Sequence, residues 1–284
     1  MKRIVIFLVT VVIVASSILL IKPYPIYGYK NEKIPVLMYH HLDKSINNNT
    51  VISPENFENQ IKTLKENGYN SITAQELYNY LNGKTELPKN PVLITFDDGY
   101  LSNYEKAYPI LKKYKMHAEI FVIASHILEK GGKNEYPNEI PKMNWDQLKE
   151  MKDYITIQSH TWNSHYKLQS FSGGMKGAIY GRSYINGKLE KQEEYEERVK
   201  KDLILSRKII IEKLGYEPIA LSYPFGTNSE DAMKLAKNVG FKMAFVIKNK
   251  GVTMGDNVFA LSRITVNGNE TGAELMKKLK NGGT

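Results

Sequence analysis

From Ile34 onward the chain alternates short apolar runs with longer stretches in which apolar residues recur every three or four positions, a pattern of strands alternating with amphipathic helices. The apolar runs predict strands at 35–39, 69–72, 91–96, 118–123, 155–158, 219–223, 241–247 and 258–266. The helices between them have recognisable starts. Ser53 followed by Pro54 opens a helix whose Phe57, Ile61 and Leu64 share one face, and Gly68 ends it. Thr73 to Glu76 (TAQE) is a capping box heading a second helix with Leu77, Tyr80 and Leu81. Further helices are predicted near 104–114, 145–151 and 193–214, at 230–239 under a Ser229 cap, and at the C-terminus. This alternation predicts the α/β class, a parallel sheet covered by helices, and about eight strands in one domain predict a closed or nearly closed barrel. An open doubly wound sheet is the alternative, but no glycine-rich phosphate loop of either common form occurs.

The N-terminus departs from the pattern. Ile4 to Ile21 are 18 uncharged, mostly apolar residues preceded by Lys2 and Arg3. As a helix they would span roughly 27 Å, enough for the hydrocarbon core of a bilayer. We read residues 1–22 as an uncleaved membrane anchor rather than a cleaved signal segment, 23–33 as a linker rich in Pro and Tyr, and 34–284 as one globular domain. The basic end then stays cytoplasmic and the domain is extracytoplasmic. No cysteine is present, so disulfides and thiolate metal sites are excluded and any metal must be held by His, Asp or Glu. The net charge of +9 is spread through lysines rather than gathered in a block. It suits an anionic envelope rather than nucleic acid, although a solvated lysine surface with no specific role accounts for it more simply.

Chemistry concentrates where strands end. The run 91–96 leads straight into Asp97 and Asp98, two adjacent carboxylates that repel each other and lose hydration at the mouth of an apolar strand. Alone, the pair also reads as an Asp-Gly turn whose carboxylates sit in water. In a barrel the C-terminal strand ends share one rim. That rim would carry His40 after the first strand, Asp97 and Asp98 after the third, His160 after the fifth, and Pro224 to Gly226 after the sixth. His160 and His165 are five residues apart, about 140° around a helix, so they can share a metal only if His165 returns from a loop. With Asp98 they would form a two-histidine, one-carboxylate set with positions left open for water and substrate.

TFDDGY at 95–100, SHTWNSH at 159–165 and SYPFG at 222–226, in this order, resemble the polysaccharide deacetylases of carbohydrate esterase family 4 over roughly residues 34–279. The five-residue histidine spacing resembles the branch acting on poly-N-acetylglucosamine of biofilms. The resemblance implies a distorted (β/α) barrel of seven to eight strands. It also implies a divalent metal, usually Zn2+, on Asp98, His160 and His165, with Asp97 as general base and the Phe225 backbone N–H as oxyanion donor. Two departures stand out. The family's usual C-terminal leucine-x-x-histidine, which supplies the acid, is absent, since no histidine follows His165; the biofilm branch takes that histidine from the N-terminal strand, which implies His40, or less suitably His41, from MYHH. Ser222 stands where the family pattern has an arginine, and Arg263 could replace it, a surface salt bridge being the alternative. Tyr100, Trp162, Tyr223 and Pro224 are candidate substrate contacts, and the glycine-rich excursion 171–187 a candidate groove wall. His117, His126 and Trp145 read as surface or packing residues. The function implied is an extracytoplasmic, membrane-anchored, monomeric N-deacetylase of N-acetylglucosamine polysaccharide. Peptidoglycan or chitin oligomers are the alternative substrates, and a silent carbohydrate-binding protein is the alternative class.

Overall fold

Seven of the eight predicted strands pair in parallel and close on themselves in the computed structural model, which describes residues 33–45, 48–132 and 136–283. They are β1 (Val36–Tyr39), β3 (Pro91–Asp98), β4 (Ala118–Val122), β5 (Ile155–Ser159), β6 (Ala220–Ser222), β7 (Met243–Ile247) and β8 (Leu261–Thr265). Around the barrel the order is β1-β8-β7-β6-β5-β4-β3, and the ring shuts where β1 pairs with β3 from Val36↔Leu93 to Tyr39↔Phe96. The remaining strand, β2 (Asn70–Ser71), pairs only with the foot of β3, through Pro91 and Val92. The predicted anchor and nearly all of the linker lie outside the described residues. Among those residues no helix is long and apolar enough to cross a membrane.

The helices begin where the caps predicted. Ser53 accepts a bond from the Asn56 amide at the head of α1 (Pro54–Glu66). The Thr73 capping box starts α2 (Ala74–Leu81), and similar boxes at Asn144 and Thr271 start α4 (Trp145–Glu150) and α7 (Gly272–Lys280). The helix predicted at 104–114 begins as one π-helical turn, Asn103–Ala107, before continuing as α3 (Tyr108–Tyr114). The long charged helix is α5 (Gln192–Leu214), and α6 (Glu230–Asn238) follows β6.

Strand alternation sorts side chains between two environments. Val36, Leu93, Phe121, Phe245 and Leu261 fill the barrel interior in one cluster. Their sequence neighbours Leu37, Ile94, Phe96, Ile120 and Ile264 face outward under α1, α3, α4 and α7. A third cluster packs Leu221, Tyr223, Ala244 and Val246 beneath α5 and α6. Toward the C-terminal ends the interior residues change from apolar to polar, and this is where the candidate site lies.

The excursion 171–187 is not an open loop. Lys167–Gln169 pairs antiparallel with Met175–Gly177, and Tyr184–Ile185 with Lys188–Leu189, making two short hairpins. They lie against the Phe225 segment: a Cβ added to Gly177 would stand 3.1 Å from the Pro224 carbonyl oxygen and 3.2 Å from the Phe225 ring.

Candidate active site

Alternation along β3 points Thr95 and Asp97 into the barrel and would send Asp98 outward. Asp98 escapes this because its backbone is left-handed, with φ +73°, a conformation Asp tolerates better than most residues. The carboxylate therefore swings back over the mouth beside Asp97. Gly99 continues the turn at φ +71°, and any Cβ there would stand 2.9 Å from Ile127 and 3.1 Å from Val122.

Asp97 is buried and clamped. Arg263 Nη1 donates to Oδ1 and Nη2 to Oδ2, both at 2.7 Å, a bidentate geometry that fixes the carboxylate plane. Ser222 Oγ donates to Oδ2 at 3.2 Å and accepts from Arg263 Nη2 at 2.8 Å. Arg263 is itself fully buried on β8, so the surface salt bridge weighed above does not describe it. The small Ser222 on β6 leaves the space that the guanidinium enters from the barrel's other side. Burial pushes the Asp97 carboxyl up, but Arg263, His160 and His40 outweigh it and hold the group well below the usual carboxylate range.

His160 ends β5 and lies in the same wall. Its Nδ1 bonds the Ser222 carbonyl oxygen at 2.7 Å, which leaves Nε2 facing Asp98 Oδ1 at 3.5 Å. Thr161, at φ +80°, then turns the chain so that His165 comes back over the rim, with Nε2 3.6 Å from the same oxygen. Ligand atoms of Asp98, His160 and His165 all lie within 4.8 Å of one another. Asp98 Oδ1 is buried and has no hydrogen-bond partner, an expensive condition for a carboxylate oxygen and the one a cation relieves. Burial, followed by repulsion from His160, brings His165 down to about 4, so its ring is neutral at pH 7, the form that binds a metal. These three residues fit a divalent ion with N and O ligands.

The opposite wall comes from β1. His40 and His41 both line the cleft, but differ in partners. The His41 Nδ1 is bonded to Ser102 Oγ at 2.8 Å and its Nε2 lies 3.8 Å from Asp43. The charges acting on His40 are instead those of the site, Asp97, Asp98, Arg263 and His160. The π-helical turn after the acid pair supports this wall, since Asn103 Nδ2 donates to the His40 carbonyl at 2.8 Å and Ser102 accepts from the Leu42 amide at 3.0 Å.

Phe225 lines the cleft with left-handed backbone at φ +60°, and its ring stacks on His165 at 4.7 Å. Tyr100 also lines it and is hydrogen-bonded to the Asp98 carboxylate. The other candidate substrate contacts lie elsewhere. Tyr223 follows Ser222, so alternation turns it outward into the core under α5 and α6, where its hydroxyl donates to the Phe259 carbonyl at 3.2 Å. Pro224 is buried, and Trp162 packs on the outer core; neither lines the cleft. His126, read from sequence as a packing residue, does line a cleft, a second lobe beside the first.

Sequence reasoning also missed Asp202. It is half a turn from solvent on α5, and its carboxylate accepts from the amides of Trp162 at 3.0 Å and Asn163 at 2.8 Å, pinning the loop between the two histidines. The signal was present, an acid within the buried stripe Tyr195, Val199, Leu203 and Ile210.

A clamped carboxylate beside a ligand-type triad, at the C-terminal mouth of a (β/α) barrel, defines a class of hydrolase that activates water. A family model described as polysaccharide deacetylase matches residues 84–244. The chain is 30% identical over 256 residues to a poly-beta-1,6-N-acetyl-D-glucosamine N-deacetylase of Staphylococcus aureus (strain MRSA252), covering 84% of this chain and 80% of that protein. A de-N-acetylase from Aggregatibacter actinomycetemcomitans has the same fold with a TM-score of 0.77 and 27% identity, over 87% of this chain and 99% of that one. IcaB from Ammonifex degensii gives a TM-score of 0.71 and 27% identity, over 87% and 97%. The chain belongs to the polysaccharide deacetylase family, and its activity is that of a polysaccharide N-deacetylase.

Proposed function

We propose that this protein hydrolyses N-acetyl groups from N-acetylglucosamine units of a poly-N-acetylglucosamine-type polysaccharide, outside the cell membrane, with a divalent ion, Zn2+, on Asp98, His160 and His165. The observation that carries the reading is the buried Asp97, held ionised and oriented by Arg263 and Ser222 beside the orphaned Asp98 Oδ1. The relatives named as poly-beta-1,6-N-acetyl-D-glucosamine deacetylases support the substrate. The Lys2-Arg3 start before 18 uncharged residues supports an anchored, extracytoplasmic location.

An ion bound there would lower the pKa of a water and polarise the acetamide carbonyl. The rest falls to the chain. Asp97 accepts a proton from the attacking water, whose oxygen bonds to the carbonyl carbon. The Phe225 amide donates to the developing oxyanion, which suits its place on the cleft wall. His40 donates a proton to the sugar nitrogen as the C–N bond breaks, releasing acetate and the free amine. Burial lowers the pKa of His40, and the charges of Asp97 and Asp98 oppose that shift. His41, held by Ser102 and Asp43, is less free to reach the nitrogen.

The test is acetate release by the purified full-length protein from β-1,6-linked N-acetylglucosamine oligomers and from peptidoglycan. Release from the oligomers that a chelator abolishes and Zn2+ restores is expected. Release from peptidoglycan alone would overturn the substrate, and release that withstands chelation would overturn the metal.

A further inference from the structure

The cleft does not end at the reacting groups. Beside the lobe that holds the acid pair, about 240 Å3, lies a second and larger lobe of about 340 Å3. The two share Asp98, Tyr100, Ile140 and His165 as a common wall, so a linear ligand lying over the acid pair runs directly from one into the other. Beyond that shared wall, the hydrolytic chemistry uses nothing in the second lobe.

Its polar lining is held in place. Lys142 is half-buried, with Nζ 3.7 Å from the centre of the Tyr100 ring, and among the described residues it forms no ion pair with a carboxylate. Such a cation, partly desolvated over an aromatic face, retains donors for a ligand oxygen. At the rim, Glu139 lies 3.0 Å from His126 Nδ1. His126 is buried, stacked on Tyr136 at 3.7 Å, and its Nε2 is 3.2 Å from Asn163 Oδ1. Since the Asn163 amide is anchored on Asp202, the chain of contacts leads from Glu139 back to the loop that carries His165.

We propose that the second lobe is a subsite for the sugar next to the one being deacetylated. Lys142 donates to an acceptor oxygen of that neighbour, its acetamide carbonyl included, and Glu139 accepts from a hydroxyl. The inference rests on the reading of the protein as an N-deacetylase of N-acetylglucosamine polymers. It also sets a preference. A neighbour that has already lost its acetyl group brings an ammonium beside Lys142, and like charges repel at that depth. Two carboxylates face the lobe beside Lys142, Asp98, committed to the ion in the proposed reading, and Glu139, exposed at the rim and already engaged by His126, so together they offset this only weakly. Acetylated neighbours are therefore favoured, and deacetylation is spaced along the polymer rather than consecutive.

Binding of the β-1,6 N-acetylglucosamine pentamer, the matching glucosamine pentamer and the N-acetylglucosamine monosaccharide tests this, measured in an Asp97→Asn background so that no ligand is consumed. Lys142→Met should weaken the acetylated pentamer about tenfold, the scale of one lost charged hydrogen bond. It should affect the monosaccharide much less and shrink the preference for the acetylated pentamer. Lys142→Arg should restore part of the loss, which a misfolded variant could not. Equal weakening of pentamer and monosaccharide, or none of either, would overturn the subsite. Acetate release by the wild-type chain, measured alongside, separates the two readings. Release with Lys142-independent binding removes the subsite and keeps the deacetylase. Lys142-dependent binding without release keeps the subsite and removes the substrate reading.

Discussion

Asp97 and Asp98 are neighbours in sequence with opposite partners. One is saturated, by a guanidinium and a hydroxyl, and the other has an oxygen with no partner at all. That difference supports the proposed roles, base for Asp97 and ligand for Asp98, and it predicts separable phenotypes. Asp97→Asn should lower kcat on the order of 10² to 10⁴-fold, the usual contribution of a positioned base, with metal content unchanged. His160→Ala should lose metal and turnover together. Arg263→Lys keeps the charge but cannot make two parallel bonds, so kcat should fall while KM stays close to wild type, as steady-state kinetics would show. These acids and histidines were legible in the sequence because each interrupts an apolar strand end. Tyr223 was misleading for an equally physical reason. Motif membership put it beside Ser222, but a strand reverses its face at every residue, and Ser222 holds the inward position.

At the scale of elements, the site depends on segments that carry none of its chemistry. The histidine loop is held by α5, where the buried Asp202 carboxylate receives two consecutive backbone amides. Removing it leaves those part-buried amides without their acceptor, a cost below the roughly 1–3 kcal/mol of a fully buried group. Asp202→Ala should therefore lower the thermal midpoint and weaken metal binding 10–100-fold, the range for an outer group that orients ligands. Metal titration of the purified variant, followed by calorimetry, would check both, and unchanged affinity would show that the loop holds itself. Strand positions and helix starts were readable to within about two residues, because caps and period-2 runs are local signals. The hairpins at 167–189 were not, since glycine density resembles a loop and their pairing depends on contacts the local sequence does not encode. The same holds for the second lobe of the cleft. Its walls come from 98–100, 123–126, 138–142 and 165, which no single motif spans.

At the scale of the whole molecule, the barrel interior is graded, apolar in the middle and polar toward the mouth, with one further acid buried near the foot. Glu119 accepts from the Ala74 amide at the start of α2 at 2.8 Å and from Gln158 Nε2 at 2.9 Å. Burial nevertheless raises its pKa to about 7, against 4.5 for the free group, with those two bonds opposing the shift. The folded state thus holds this proton more tightly than the unfolded chain. Stability is fully present below about 4.5 and declines as pH rises through about 7, by about 3 kcal/mol in all. Glu119→Gln should flatten that decline, melting well above wild type at pH 8 and close to it at pH 5. A constant difference at both would place the cause elsewhere. Closure matters in another way. β1, which leads into His40, is enclosed by β3 and by β8, and β8 brings the guanidinium that sets Asp97. A chain ending at Gly255 would contain both acids and all six histidines of the full sequence, yet its base would have no counter-ion and the first strand no second neighbour. During synthesis, then, every reactive group is made before the chain can use it, and competence arrives in one step with the last strand.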